Sequence, residues 1–209
     1  MMQTVAVIDY GSGNLHSVAK AIDYAGHCRV LVTADAKEIQ SADRVVLPGV
    51  GAMGDCMQGL QERRLDLVVL KVIHEKPLMG VCVGMQILTE SGEETAGVDA
   101  LGVFPGQITQ FPKSMKNLKG HALKVPHMGW NEVEQRQHPM WNGIADRTRF
   151  YFVHSYIFKT EDSKNVLMTS YYAEKFTCAV NKENIFGTQF HPEKSDKLGL
   201  QIIQNFIQL

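Results

Sequence analysis

The sequence predicts an α/β protein: an open, twisted, mostly parallel sheet with flanking helices, extended in its C-terminal half by antiparallel strands. Three observations predict it. Apolar runs of strand length alternate with helical stretches through the first part of the chain, and short Gly-rich turns join them. From about Leu101 the alternation gives way to short β-type segments separated by turn signals.

The first strand is residues 3–9, an apolar run ending in an acidic residue. Tyr10-Gly11-Ser12-Gly13 turns the chain into a helix from Asn14, where Leu15, Val18, Ala19, Ile22 and Ala25 recur at helical spacing and Gly26 closes it. Residues 28–32 form a second strand, 36–40 a short helix, 43–47 a third strand, 63–74 a helix and 77–81 a fourth strand. Residues 85–90 have helical composition. In the second half, strands are expected over 149–158, 165–171, 176–181 and 185–190, with turns at Asn142-Gly143 and Lys182-Glu183-Asn184. A final helix spans 196–209, with Leu198, Ile202, Asn205 and Phe206 on one side. There are no repeats or low-complexity linkers, so residues 1–209 read as a single domain, long enough to bury roughly 70% of its unfolded surface.

Composition narrows the function. Hydrophobic residues make up 44% and charged residues 21%, the balance of a soluble globular protein. A formal charge of −1 leaves no basic field to recruit nucleic acid or an anionic membrane. No apolar run approaches the roughly 18 residues of a membrane span. Residues 1–9 carry no basic n-region and no cleavage site, and read as a strand rather than a signal peptide. Cys28, Cys56, Cys82 and Cys178 show no C-x-x-C or zinc spacing, which points to free thiols in a cytoplasmic protein.

Gly80-Val81-Cys82-Val83-Gly84 stands where a strand gives way to a helix. A G-x-nucleophile-x-G pentad at such a turn is a nucleophile elbow, here filled by cysteine. The turn strains the central residue, so its neighbours must be small. Cys82 then projects at the carboxyl edge of the sheet beside a helix N-terminus, a setting that favours the reactive thiolate. Cys178, Cys28 and Cys56 lack this glycine-flanked setting and read as inert thiols.

Pro48-Gly49-Val50-Gly51 ends the neighbouring strand. Glycines on both sides let the Val50 peptide take more than one orientation. The backbone N–H groups of Val50 and of Val83 are candidate oxyanion donors facing Cys82, each worth on the order of 10²–10³ in rate. Gly11-Ser12-Gly13, by contrast, lacks the third glycine of a dinucleotide fingerprint and the Lys of a Walker loop, and reads as a plain turn.

Phe190-His191-Pro192-Glu193-Lys194-Ser195 follows the last expected strand. In extended geometry His191 and Glu193 point to the same side. An imidazole can then reach the Cys82 sulfur while a carboxylate fixes its tautomer. An isolated His-x-Glu is weak evidence alone, and no third ligand at fixed spacing completes a metal site. His16, His27, His74, His121 and His138 have no motif around them.

Together these segments resemble the class I (triad) glutamine amidotransferases, which are flavodoxin-like α/β proteins. The resemblance rests on the pentad followed by Met85-Gln86, the Pro48–Gly51 turn and the His191-Pro192-Glu193 segment. Asp9-Tyr10-Gly11-Ser12-Gly13-Asn14-Leu15, Pro126-His127-Met128-Gly129-Trp130-Asn131 and Tyr151-Phe152-Val153-His154-Ser155-Tyr156 narrow it to glutaminase subunits of imidazole glycerol phosphate synthase, in histidine biosynthesis. The set occurs in the expected order along the whole chain; Val83 departs from the usual leucine and leaves the backbone donor intact.

The resemblance implies a Cys82–His191–Glu193 triad that hydrolyses L-glutamine to glutamate and ammonia, with no cofactor and no metal. It implies glutamine-holding roles for Gly49, Gly51, Gln86, His154, Ser155 and Tyr156. It also implies a heterodimer with a (β/α)₈ barrel cyclase, contacted through His127, Met128, Trp130, Asn131, Tyr151 and Lys194. Trp130, read as part of a Gly-containing loop, suits an interface anchor. Because free ammonia is lost to water, sealing the site has a chemical reason, and the isolated chain is expected to be a poor glutaminase. The competing readings are a glutaminase subunit of another synthase, such as a sugar-amidating one, a stand-alone cysteine hydrolase, and a non-catalytic module.

Overall fold

The first half of the chain lays down parallel strands in succession. β1 (Thr4–Ile8), α1 (Leu15–Ala25), β2 (Arg29–Thr33), α2 (Ala36–Ser41), β3 (Arg44–Gly49), α3 (Met53–Glu62), α4 (Leu65–Val72) and β4 (Leu78–Cys82) follow one another. The structure, a computed structural model, describes residues 2–94, 97–112, 114–116 and 120–209. Strands β2, β1, β3 and β4 lie side by side, all parallel. Every residue of β3 and β4 is buried, as continuous apolar strands covered on both faces must be. The helix expected over 63–74 is α4, and Arg64, at φ 56°, breaks it from α3.

Beyond the pentad the chain departs from expectation. The helix α5 (Val83–Gln86) is a single turn, and Thr89–Gly92 is a strand, β5, rather than the end of a helix over 85–90. The Thr89 hydroxyl donates to the Gln86 carbonyl at 2.7 Å and ends the turn. Thr89, β-branched and fully buried, then pairs with Phe104.

The remaining elements are β6 (Val98–Asp99), β7 (Phe104–Gln110), β8 (His127–Gln135), β9 (Arg149–His154), β10 (Tyr156–Lys159), β11 (Val166–Tyr172), β12 (Glu174–Lys182), β13 (Ile185–Thr188) and α6 (Asp196–Gln208). The long strand expected over 149–158 breaks at Ser155 because its halves serve different neighbours: β9 pairs with β8, and β10 with β7 and β12. The segment around Trp130, expected as a loop, is strand β8, with His127 buried and Met128 and Trp130 exposed.

The element that positions the site is β13. It comes near the end of the chain yet inserts beside β4, running parallel to it, with Ile185 opposite Leu78 and Thr188 opposite Val81. On its other side it pairs with β12, so it joins the parallel block to the antiparallel one. Residues just past β13 therefore emerge at the same sheet edge as Cys82. Helix α6 closes the core with Ile202, Asn205 and Phe206 inward as expected, but Leu198 is exposed and Gly199 takes the buried place. A side chain at Gly199 would overlap the Pro192 carbonyl, so the helix seats against the turn that follows His191. The Arg44 guanidinium ties the other end of α6 to β3, donating to the Ile207 carbonyl at 2.8 Å.

Candidate active site

Cys82 sits at φ 56°, ψ −114°, a strained backbone for a residue with a side chain. The elbow exists because α5 is pressed against the ends of β3 and β4. A Cβ at Gly84 would overlap the Leu47 carbonyl, one at Gly80 would lie 2.6 Å from the Gly84 carbonyl, and one at Gly49 would lie 2.5 Å from the Gly84 nitrogen. Gly49 thus serves this close approach; it is Val50 and Gly51 that face the cavity. Val83 opens α5, so its N–H belongs to the group that no intrahelical carbonyl can satisfy.

His191 and Glu193 meet, though not as extended neighbours. Pro192–Lys194 is a 3₁₀ turn, and the His191 Nδ1–H donates to Glu193 Oε1 at 2.8 Å, with both side chains 2% exposed. Burial opposes a charge on His191, but the Cys82 sulfur and the Glu193 carboxylate outweigh it and push the imidazole up to about 10. Nε2 itself has no partner of strict hydrogen-bond geometry, yet the Cys82 sulfur is near enough to favour the charged ring. That buried, unpartnered nitrogen is where a transferred proton would reside. Ser195 staples the turn to β9: its hydroxyl donates to the His191 carbonyl at 2.7 Å and accepts the Tyr151 N–H at 2.9 Å. The His191 N–H donates to the Tyr151 carbonyl at 2.9 Å.

Cys82, His191, Val50, Gly51, Val83 and Gln86 line one cavity of about 520 Å³. His154, Ser155 and Tyr156, expected to hold the substrate, also line it, as do Lys194, expected at the partner face, and Asn14, Glu94, Pro126 and Val153, of which only Glu94 lies outside the motifs named from the sequence. Gln189 is the larger omission. It is fully buried; its Oε1 accepts from Gln86 Nε2 at 3.0 Å and its Nε2 donates to Cys82 Sγ at 3.7 Å. The two carboxamides hold each other's orientation, and one of them holds the sulfur. The available signal was a glutamine two residues before His191, at the carboxyl end of a buried strand.

Around the Pro48–Gly51 turn the structure places three more unanticipated groups. The Tyr10 hydroxyl donates to the Pro48 carbonyl at 2.6 Å, and burial raises its pKa. The Ser12 hydroxyl donates to the Val50 carbonyl at 2.9 Å. Cys56, expected to be an inert thiol in a helix, sets its sulfur 3.4 Å from that same carbonyl. The carbonyls on both sides of the Gly49–Val50 peptide are thereby held. Cys28 and Cys178 are buried thiols whose pKa burial pushes up.

The residues expected to face a partner divide in two. Met128 and Trp130 are exposed on β8, Lys194 is exposed at the cavity rim, and Tyr151 packs its ring edge-on to Trp130 at 6.2 Å. Asn131 is half-buried, and its amide donates to the Tyr171 carbonyl. His127 turns inward, 4% exposed, and its side chain cannot meet a partner. Among the described residues no three His, Cys, Asp or Glu side chains are grouped to hold a metal ion, and no helix is long and apolar enough to cross a membrane.

Comparison with known proteins agrees with this geometry. The profile of the family described as glutamine amidotransferase class-I matches residues 6–209. The HisH subunit of imidazole glycerol phosphate synthase from Pseudomonas putida is 54% identical over 99% of this chain and 97% of its own length. The corresponding subunit from Dechloromonas aromatica is 52% identical over 99% and 96%. Among solved structures, PurLQS from Thermotoga maritima superposes with a TM-score of 0.72 at 20% identity, covering 100% of this chain and 99% of that one. The glutaminase domain of Trypanosoma brucei CTPS superposes at 0.65 and 14% identity, covering 99% and 92%. With an elbow cysteine, a buried His–Glu pair and one shared cavity, this chain belongs to the class I glutamine amidotransferases and, within them, to the HisH subunits of imidazole glycerol phosphate synthase.

Proposed function

We propose that the chain hydrolyses L-glutamine to glutamate and ammonia, and passes the ammonia to a (β/α)₈ barrel cyclase bound to its β8 face. The cyclase uses it to form imidazole glycerol phosphate and aminoimidazole carboxamide ribonucleotide in histidine biosynthesis. The observation that carries this reading is Cys82 and His191 on the wall of a single cavity, with Glu193 2.8 Å behind the imidazole.

The chemistry follows from the groups. The Cys82 thiolate attacks the carboxamide carbon, and the developing oxyanion takes hydrogen bonds from the Val83 N–H and, once its peptide is turned inward, from the Val50 N–H. The C–N bond breaks as the His191 imidazolium gives its proton to the departing ammonia. Water then attacks the thioester carbon, His191 takes the water's proton, and the C–S bond breaks to release glutamate. Glu193 holds the imidazole in the Nδ1–H form throughout and stabilises its charge. Gln86, with one amide N–H committed to Gln189, keeps its carbonyl and second N–H for the substrate.

Met128, Trp130, Asn131, Tyr151 and Lys194 form the partner face of this reading. The test is a glutaminase assay with and without the cyclase and its nucleotide ligand. Turnover should be low for the chain alone, rise on assembly and vanish in Cys82→Ala. Equal, high turnover without the cyclase contradicts the gating, and turnover surviving Cys82→Ala contradicts the chemistry.

A further inference from the structure

His127 and His154 lie on adjacent positions of paired strands, β8 and β9, and both rings are buried. His127 Nδ1 lies 2.8 Å from His154 Nε2, and His154 Nδ1 lies 2.8 Å from the Tyr156 carbonyl. His127 Nε2 lies 3.2 Å from the Asn131 amide nitrogen. We propose that these two histidines are a positioning pair for the substrate cavity: a one-way string of hydrogen bonds runs from Asn131 on the exposed strand β8 to the Tyr156 carbonyl and fixes the Ser155–Tyr156 wall. The proposal rests on reading that cavity as the glutamine site.

The direction of the string is set from both ends independently. At one end a carbonyl can only accept, so His154 carries its proton on Nδ1 and offers Nε2 as an acceptor. His127 must then donate from Nδ1 and accept at Nε2. At the other end the Asn131 amide nitrogen also donates to the Tyr171 carbonyl at 3.0 Å, and Asn131 Oδ1 accepts the Glu132 N–H at 2.9 Å. That fixes the amide with its nitrogen towards His127, a donor meeting an acceptor. A proton added to either ring sets two donors face to face, so the string works only with both rings neutral.

Packing holds the rings in this plane. His127 is stacked between Tyr172 at 4.1 Å and Phe152 at 4.9 Å, and Phe111 lies against His154 at 5.3 Å. Burial pushes His127 down to about 4 and His154 to about 3, consistent with neutral imidazoles. Both His154 nitrogens are committed within the protein, so the ring cannot act on substrate as acid or base. Its effect is on the backbone: the Tyr156 carbonyl is taken by His154 and the Ser155 carbonyl by the Phe111 N–H at 3.2 Å, which fixes the strand break that lines the cavity. Because Met128 and Trp130 project from the outer side of the same strand, a shift of β8 reaches the cavity wall through these two rings.

The experiment uses the chain in complex with the cyclase. His127→Phe keeps the stack and removes both hydrogen bonds; KM for glutamine should rise about tenfold with kcat within about threefold. His127→Asn, whose amide can reproduce the Nδ1–H, should recover most of that KM. Nitrogen-15 spectra of the wild-type imidazoles should find both rings neutral with the proton on Nδ1. An unchanged KM in His127→Phe, or a ring that is charged or protonated on Nε2 at neutral pH, overturns the proposal. Should the Phe variant fail to fold, the Asn variant's KM and the wild-type tautomers decide. A wild-type complex without glutaminase activity sinks the functional reading instead, and the spectra still test the string.

Discussion

Cys82 holds its sulfur over the cavity at the expense of an unfavourable backbone, and the glycines around it answer different needs. At Gly84 a methyl group would overlap the Leu47 carbonyl, whereas at Gly51 it would meet nothing, although φ is +84°. Gly84→Ala should therefore lower stability by about 3 kcal/mol or more, or prevent folding. Gly51→Ala should cost only about 1–2 kcal/mol, the left-handed penalty, while reducing kcat through the orientation of the Val50 peptide. Urea midpoints and glutaminase rates on the two variants separate these effects; similar stability losses would contradict the packing account. Cys82 is legible in the sequence because a strained nucleophile demands small neighbours, and His191 and Glu193, weak evidence alone, become legible beside that elbow and the Pro48–Gly51 turn in the expected order. Gln189, Ser195 and Tyr10 are not, since a buried amide or hydroxyl acquires its role only from a group that the fold brings to it, here over 107, 44 and 38 residues.

At the scale of elements, β8 and β9 tie the exposed face to the catalytic turn. Trp130 touches Tyr151 across the pair, and Tyr151 holds the His191 backbone directly and through Ser195. Trp130, 50% exposed, contributes little to the isolated fold. Trp130→Ala should leave thermal stability within about 1 kcal/mol and weaken cyclase binding by about 2 kcal/mol or more, roughly 30-fold. Titration calorimetry against the cyclase checks this; unchanged affinity would remove Trp130 from the partner face. The sequence hides β8 because Gly129, Asn131 and Glu132 dilute its apolar alternation, and an inward histidine looks no different from an outward one. It hides the shortness of α5 for a related reason: Met85, Gln86, Ile87 and Leu88 all have helical preference, and the Thr89 pairing that ends the turn is a tertiary contact.

For the molecule as a whole, buried histidines set a pH window of stability. His127 and His154 stay neutral in the folded state down to about 4 and about 3, against an ordinary 6.5. Below pH 6.5 the unfolded chain binds protons that the folded chain refuses, so stability falls as pH drops, by about 2 kcal/mol per ring at pH 5. His191 behaves oppositely. Against the cost of burial, Cys82 and Glu193 raise it to about 10, so its contribution is whole below pH 6.5 and drains away as pH climbs towards 10. Urea midpoints at pH 5, 7 and 9 should be highest at 7, and equal midpoints at 5 and 7 would contradict neutral burial of the two rings. The parallel strands β1 to β4 are legible because each connection is local. The place of β13 is not, because no local pattern says that a strand near the end of the chain inserts beside one at residues 78–82.

That insertion has a consequence for biosynthesis. A nascent chain that has not yet delivered residues 185–191 has neither the strand that bridges the two halves of the sheet nor the imidazole that the proposed chemistry sets against the sulfur. Half-made or C-terminally clipped protein therefore carries an exposed sheet edge but no functioning nucleophile, so such species are prone to aggregate rather than to release ammonia with no acceptor in place.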